Sequence, residues 1–437
     1  MPRLLSHHPK RYALTNELHA RPFQPMPAPG RVTHLAFKMP EKAADRDPEI
    51  DRAHLIDLID RHGGPHPAPG ANHYANDFGR FRFTWERHTE FVSYALWERG
   101  PGDELFGGEL VELFPEDWLA AAPGRVVAAT EIEIIEAATR EQARQRIEAS
   151  LLRRFNLESL AIADVLDGNA CALGDFRIDQ EGFTRFAVVV YGDVGPRRTG
   201  RLIQRLIEIE TYRSVAMLAL PLARRTAHRL NEIETQLTRL IEQVARETGE
   251  RPEATILTEL TALAAELEAL SARSAFRFGA GRAYAAIVED RIASLREERY
   301  GGSQLFSEFM ARRFAPAQRT CEAAERRLSE LAVRTSRISE LLRTRVNFAV
   351  EAQNQQLLES MDRRAALQLR LQQTVEGLSV VAISYYAVSL ASYLLVPLAK
   401  AAGISKELLT AAVAVPVIAG VWAFVRRIRK GIEHGGE

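Results

Sequence analysis

Two uncharged runs near the C-terminus constrain this chain more than any other feature. Gly377 to Ala399 holds about 23 residues without a formal charge, and Leu408 to Val425 adds a second apolar run of about 18. A helix needs about 20 residues to cross a bilayer core, so the pair reads as a transmembrane hairpin closed by the short turn Lys400–Glu407. A polar, glutamine-rich segment, Gln353–Glu376, enters the first run with no Pro or Gly to interrupt it. Arg363, Arg364 and Arg370 precede the first span, and Arg426, Arg427, Arg429 and Lys430 follow the second. The connecting loop holds only Lys400 and Lys406, with Glu407. The positive-inside bias therefore puts both ends of the hairpin in the cytoplasm. The N-terminal segment MPRLLSHHPKRYALTNELH has no apolar core of signal-peptide length, so the first ~375 residues are expected there too.

Charge narrows the partners. The 437 residues carry 57 Lys plus Arg against 57 Asp plus Glu, a formal net charge of zero, which argues against a general nucleic-acid footprint. Cys171 and Cys321 are the only cysteines and lie far apart in sequence, which points to a reducing compartment and no disulfide framework.

Residues 1–194 read as a mixed α/β domain. Arg21–Gly30 is crowded with Pro and Gly and reads as a loop. Strands are expected at Val32–Met39, twice within Arg80–Arg99, at Val126–Ile135 and at Phe183–Tyr191, with helices at Pro48–His62 and Thr139–Arg154. Strands alternating with helices suggest an α/β sheet. From Pro196 the texture becomes helical and arginine-rich, and residues 195–318 form a helical domain. Pro221 is a candidate kink, Pro252–Ser274 and Gly279–Tyr300 are candidate helices, and Gly279-Ala280-Gly281 reads as the break between them. A helix starting after Pro316 gives a stalk, 319–376, followed by the spans 377–399 and 408–425 and a basic tail, 426–437. The fold class is an α+β and α-helical membrane protein: a mixed α/β head, a long coiled-coil-like body and stalk, and a two-helix transmembrane hairpin.

The stalk would be about 80 Å long between Arg319 and Gln373, and a helix that long and polar needs partner helices or copies of itself. Asn347, Asn354, Met361 and Gln368 recur every seven residues, the spacing of one stripe on a supercoiled helix. A parallel stripe in the first span holds Ser379, Tyr386 and Tyr393. Polar residues in a membrane helix face protein or water rather than lipid. The stripe is therefore either the register-fixing seam of a homo-oligomer or the lining of a pore. Ala412, Pro416 and Gly420 on the second span suit close helix packing in both cases.

Nine of the eleven histidines fall within the first 88 residues. Along WERHTEF, read as a strand, Glu86, His88 and Glu90 alternate onto one face, and Glu17 and His19 of NELHARP could join them. Carboxylates with imidazoles suit a divalent cation, although no H-E-x-x-H spacing occurs. A structural polar network is the competing reading. The chain has no G-x-x-x-x-G-K-[ST] phosphate loop and no G-x-S-x-G elbow, so no motif compels an enzyme.

The layout resembles CorA-type magnesium channels: a cytoplasmic α/β domain, a long stalk helix, two spans and a basic tail. That family's Gly-Met-Asn triplet at the end of the first span is missing, because the equivalent place reads Tyr393-Leu394-Leu395-Val396-Pro397. A more specific resemblance rests on NELHARP (Asn16–Pro22), WERHTEF (Trp85–Phe91), LLRTRV (Leu341–Val346), QNQQLL (Gln353–Leu358) and LQLRLQQTVEGLSVVAISYY (Leu367–Tyr386). On these strings the chain is similar, over nearly its full length, to a family of bacterial membrane-anchored proteins of unknown function. The resemblance implies a bacterial inner membrane location and gives no activity. Three functions follow as expectations: a membrane-anchored homo-oligomer serving interaction or regulation, a CorA-like channel or transporter, and a metal-dependent enzyme using the Glu/His set.

Overall fold

All nine residues of Gly30–Lys38, the strand β1, are buried, as in a strand covered on both faces, although Arg31, Thr33, His34 and Lys38 interrupt its apolar pattern. The computed structural model describes residues 6–12, 14–15, 23–40, 43–101, 104–245, 252–401 and 405–433. Its contacts divide the chain into Met1–Ser339 and Glu340–Glu437.

In the first unit β1 lies mid-sheet. β2 (His73–Asp77), β3 (Phe81–Arg87) and β4 (Phe91–Arg99) extend the sheet on one side of it. β5 (Arg125–Glu136), β6 (Ala161–Val165), β7 (Ala170–Ile178), β8 (Thr184–Val190) and β9 (Glu298–Arg299) extend it on the other. The order is β2-β3-β4-β1-β5-β8-β7-β6-β9. Among the described residues every neighbouring pair is antiparallel except β5 and β8. Strand–helix alternation suggests an α/β sheet; the sheet is mostly antiparallel, with hairpins supplying four of its eight pairings and only β5–β8 running parallel. One face packs Leu35, Phe37, Trp85 and Tyr94 with Leu55, Leu58 and Ile59 of α1 (Pro48–His62) and Trp118 of α2 (Glu116–Ala120). α3 (Arg140–Ala149) follows β5 and is capped by Thr139, whose side chain accepts from the Gln142 amide.

The opposite face is covered by α4 (Pro196–Met217), whose Leu202, Ile203, Leu206, Ile207 and Ile209 join Val32, Trp97, Ile132 and Phe186 in one core. α5 (Ala219–Ala245) begins after a turn at Leu218, so Pro221 sits in its first turn, where a missing N–H costs little, and kinks nothing. α6 is one helix from Glu253 to Leu295. The expected break at Gly279–Gly281 is absent. Gly281 serves close packing instead, since a Cβ there would come 3.0 Å from the Ala219 Cβ. α5 buries Ala219, Ala223, Thr226, Leu230, Ile233, Leu237 and Leu240, steps of four and three residues that keep one stripe inward. Cys321, Ala324, Leu328 and Leu331 continue such a stripe on α8 (Ala315–Ala401), which follows the short helix α7 (Phe306–Phe309) and a π-turn. Both cysteines are buried and free.

The second unit consists of the rest of α8 and α9 (Lys406–Glu433), with Pro397 and Pro416 inside these helices. Both helices are long and apolar enough to cross a membrane. The most apolar stretch of the first is 6% buried within the chain and that of the second 0%.

Gly200 of α4 lies beneath the Phe23–Pro27 segment, whose Met26 amide donates to the Pro196 carbonyl at 2.9 Å. A Cβ at position 200 would fall 1.8 Å from the Gln24 carbonyl oxygen. A helix-interior Gly→Ala ordinarily gains about 1 kcal/mol. Here Gly200→Ala is expected to cost about 1–3 kcal/mol through overpacking, read as a lower thermal midpoint; an unchanged or raised midpoint contradicts the packing.

A polar cavity under the sheet

The face beneath α4 is largely apolar, and one group of polar side chains gathers around His34. His34 on β1 pairs across the sheet with Ala95 of β4 and Thr130 of β5, while Thr84 and Glu86 of β3 pair with Ala95 and Ser93. Because side chains alternate along strands, His34, Thr84, Glu86, Ser93 and Thr130 share the face that α4 covers. Gln204, Glu208, Thr211 and Tyr212 come from α4 to meet them. With His88 and Phe91, and with these side chains of α4, His34, Thr84, Glu86 and Ser93 line a small cavity of about 30 Å³, room for a water or two.

Several groups in this island are short of partners. His34 Nδ1, Thr130 Oγ1 and Thr211 Oγ1 are buried without a hydrogen bond, an arrangement that costs about 1–3 kcal/mol per group unless something fills the gap. Burial pushes the His34 imidazole down to about 3, with the nearby Glu86 opposing that shift and His88 adding to it. His34 is therefore neutral at neutral pH and offers one ring nitrogen as an acceptor. Thr84 Oγ1 is satisfied by Trp97 Nε1 at 3.1 Å, and Gln204 Nε2 donates to Glu208 Oε1 at 3.3 Å.

The residues expected to bind a cation are arranged differently from the sequence reading. β3 ends at Arg87 and the chain turns, with the His88 amide donating to the Phe91 carbonyl at 2.8 Å, so WERHTEF is a hairpin rather than one strand. Glu86 and His88 do come together, Nε2 to Oε2 at 3.4 Å, and the His88 ring stacks on Phe91 at 4.2 Å. Glu90 turns away from them. Arg277 of α6 grips its carboxylate at 2.5 and 3.1 Å, and Lys38 Nζ lies 3.4 Å off. Glu90 thus ties the hairpin to α6 as a buried ion pair. Glu17 and His19 lie outside the described residues. Among the described residues no three His, Cys, Asp or Glu side chains converge as a metal-ligand set. His34 and Thr211 do not stand out in the sequence because each has polar neighbours along the chain, Thr33 beside His34 and Glu210 beside Thr211, and no motif marks either. Only the β1–β4 register makes them neighbours of Glu86.

In the second unit Asn347, Asn354, Met361, Gln368, Ser379, Tyr386 and Tyr393 are all exposed within the chain. The buried span hydroxyls are those of Ser384 and Ser392, neither with a hydrogen-bond partner.

A mostly antiparallel α/β domain joined to long helices and two apolar segments defines the class of protein. The chain belongs to the family described as protein of unknown function (DUF3422), whose model matches residues 6–432. No curated protein and no solved structure matches it.

His34 fixes a sign for acid sensitivity. Its folded-state value lies below the ordinary 6.5, so its contribution to stability is fully present above pH 6.5 and is lost as pH falls toward 3. Thermal melts of wild type and His34→Gln should therefore converge as pH drops through that window, the difference changing by at most about 1.4 kcal/mol per pH unit. Parallel profiles would show that His34 is protonated in the fold.

Proposed function

We propose that this protein is a membrane-anchored homo-oligomer whose soluble part serves interaction or regulation, with both termini on the cytoplasmic side of a bacterial inner membrane. One observation carries the reading: beyond residue 342, α8 keeps an apolar stripe that its own chain leaves uncovered. Val350, Leu357, Leu371 and Leu378 are 51%, 55%, 67% and 67% exposed. With Asn347, Asn354, Met361, Gln368 and Val375 they follow steps of three and four, Arg364 filling the one position between Met361 and Gln368, so the two sets form a single a/d seam with one charged site. Each fully buried aliphatic side chain contributes about 1.5–3 kcal/mol, so a second copy laid on this seam is the simplest cover. Asn at seam positions lowers stability but fixes register and the number of strands. The two apolar helices support the anchor, and their basic flanks support the orientation.

Light scattering on the purified full-length protein in detergent tests the oligomer. The protein mass is expected to be at least twice the 48.9 kDa of one chain, and Leu357→Asn with Leu371→Asn should shift it toward one chain. A wild-type protein mass of a single chain contradicts the proposal.

A further inference from the structure

A second cavity lies at the other end of the same helix. Arg198, Arg201 and Arg205 are spaced by three and four residues, which sets their side chains on one face of α4. They line a cavity of about 310 Å³ with Arg296, which caps α6 in the left-handed conformation at φ 49°. Small-ligand pockets run from about 300 to 1,000 Å³, so the space suits a compact molecule. One carboxylate enters it: Asp167 Oδ2 lies 2.5 Å from Arg198 Nη2. Among the described residues Arg201, Arg205 and Arg296 form no ion pair. Glu208, the acid that opposes the shift of Arg205, is taken up by Arg291.

The crowding has a measurable signature. Burial first, and then Arg201, Arg291 and Arg296, hold the Arg205 guanidinium below its ordinary value, with Glu208 opposing. Cations gathered in this way repel one another, and an anion among them would reverse the sign of that interaction. The start of α4 adds to the positive field. Gly195 offers no side-chain cap and Pro196 occupies the first turn, so the helix presents its positive end uncapped. Planar guanidinium forks match the oxygens of phosphate and carboxylate groups, which chloride lacks, and a phosphate brings more oxygens and more charge to several forks at once than a single carboxylate does.

We propose that the cavity of Arg198, Arg201, Arg205 and Arg296 binds a multiply charged phosphate group, carried by a polyphosphate or a phosphate ester. The site is separate from the His34 cavity and independent of the oligomer seam.

Isothermal titration calorimetry on the full-length protein in detergent tests it, with inorganic pyrophosphate, ATP and dioctanoyl phosphatidic acid as probes. Saturable binding of pyrophosphate or ATP assigns a soluble phosphate ligand; saturable binding of the lipid alone assigns a headgroup. In either case Arg201→Gln with Arg205→Gln should weaken binding at least about tenfold, because each substitution removes charge-assisted hydrogen bonds to the phosphate. Added salt should weaken it as well. Arg296→Gly, at a position whose backbone suits glycine, removes one guanidinium without strain and should weaken binding several-fold even if the double variant does not fold. Arg224→Gln with Arg225→Gln, on exposed positions of α5 outside the cavity, should leave binding unchanged. The proposal is overturned if no probe saturates, if the cavity variants bind like wild type, or if the α5 control loses as much affinity as they do.

Discussion

The burial of α4 against the sheet is the interaction on which the first unit depends. Its apolar stripe, Leu202 to Ile209, seals the core beneath β1, β4, β5 and β8. Its other faces then take on separate tasks. Pro196 and Gly200 meet the Phe23–Pro27 segment, Glu208 and Thr211 close the cavity around His34, and Arg198, Arg201 and Arg205 line the phosphate-sized pocket. α6 packs alongside and contributes to both ends, through Arg277 on Glu90 and through Arg296 at the pocket. A shift of α4 along its axis would disturb all of these contacts together.

Much of this architecture was legible from residue patterns. β-branched and aromatic runs located β1, β3, β4, β5 and β8, and the Asp47 cap, Pro48 and Gly63 bounded α1 where periodicity put it. The β6–β7 hairpin escaped because its strands are rich in alanine, although Asp167-Gly168 at its turn is a hairpin signal. Gly279 and Gly281 misled in the other direction. Glycine reads as a helix breaker, yet the helix runs through both, and at Gly281 close packing against Ala219 of α5 makes glycine the residue that fits.

The site was legible only in part. The pairing of Glu86 with His88 follows from their spacing, whereas the diversion of Glu90 to Arg277 needs a helix almost two hundred residues away. His34 becomes noticeable only once burial strips it of partners. The arginine pocket could have been read from the spacing at 198, 201 and 205, but Arg296 joins it solely through the packing of α6 on α4. Tertiary contacts, rather than local pattern, decide which of many polar residues share a cavity.

The central claim is that the exposed stripe of α8 is a seam between copies. Disulfide scanning in native membranes tests it most directly, with single cysteines introduced from 347 to 371 in a chain whose Cys171 and Cys321 are replaced by alanine. Cross-linked dimers should peak at 347, 350, 354, 357, 361, 364, 368 and 371 and fall between them, the seven-residue rhythm of facing helices. A flat profile, or no cross-linking at any position, would contradict the seam.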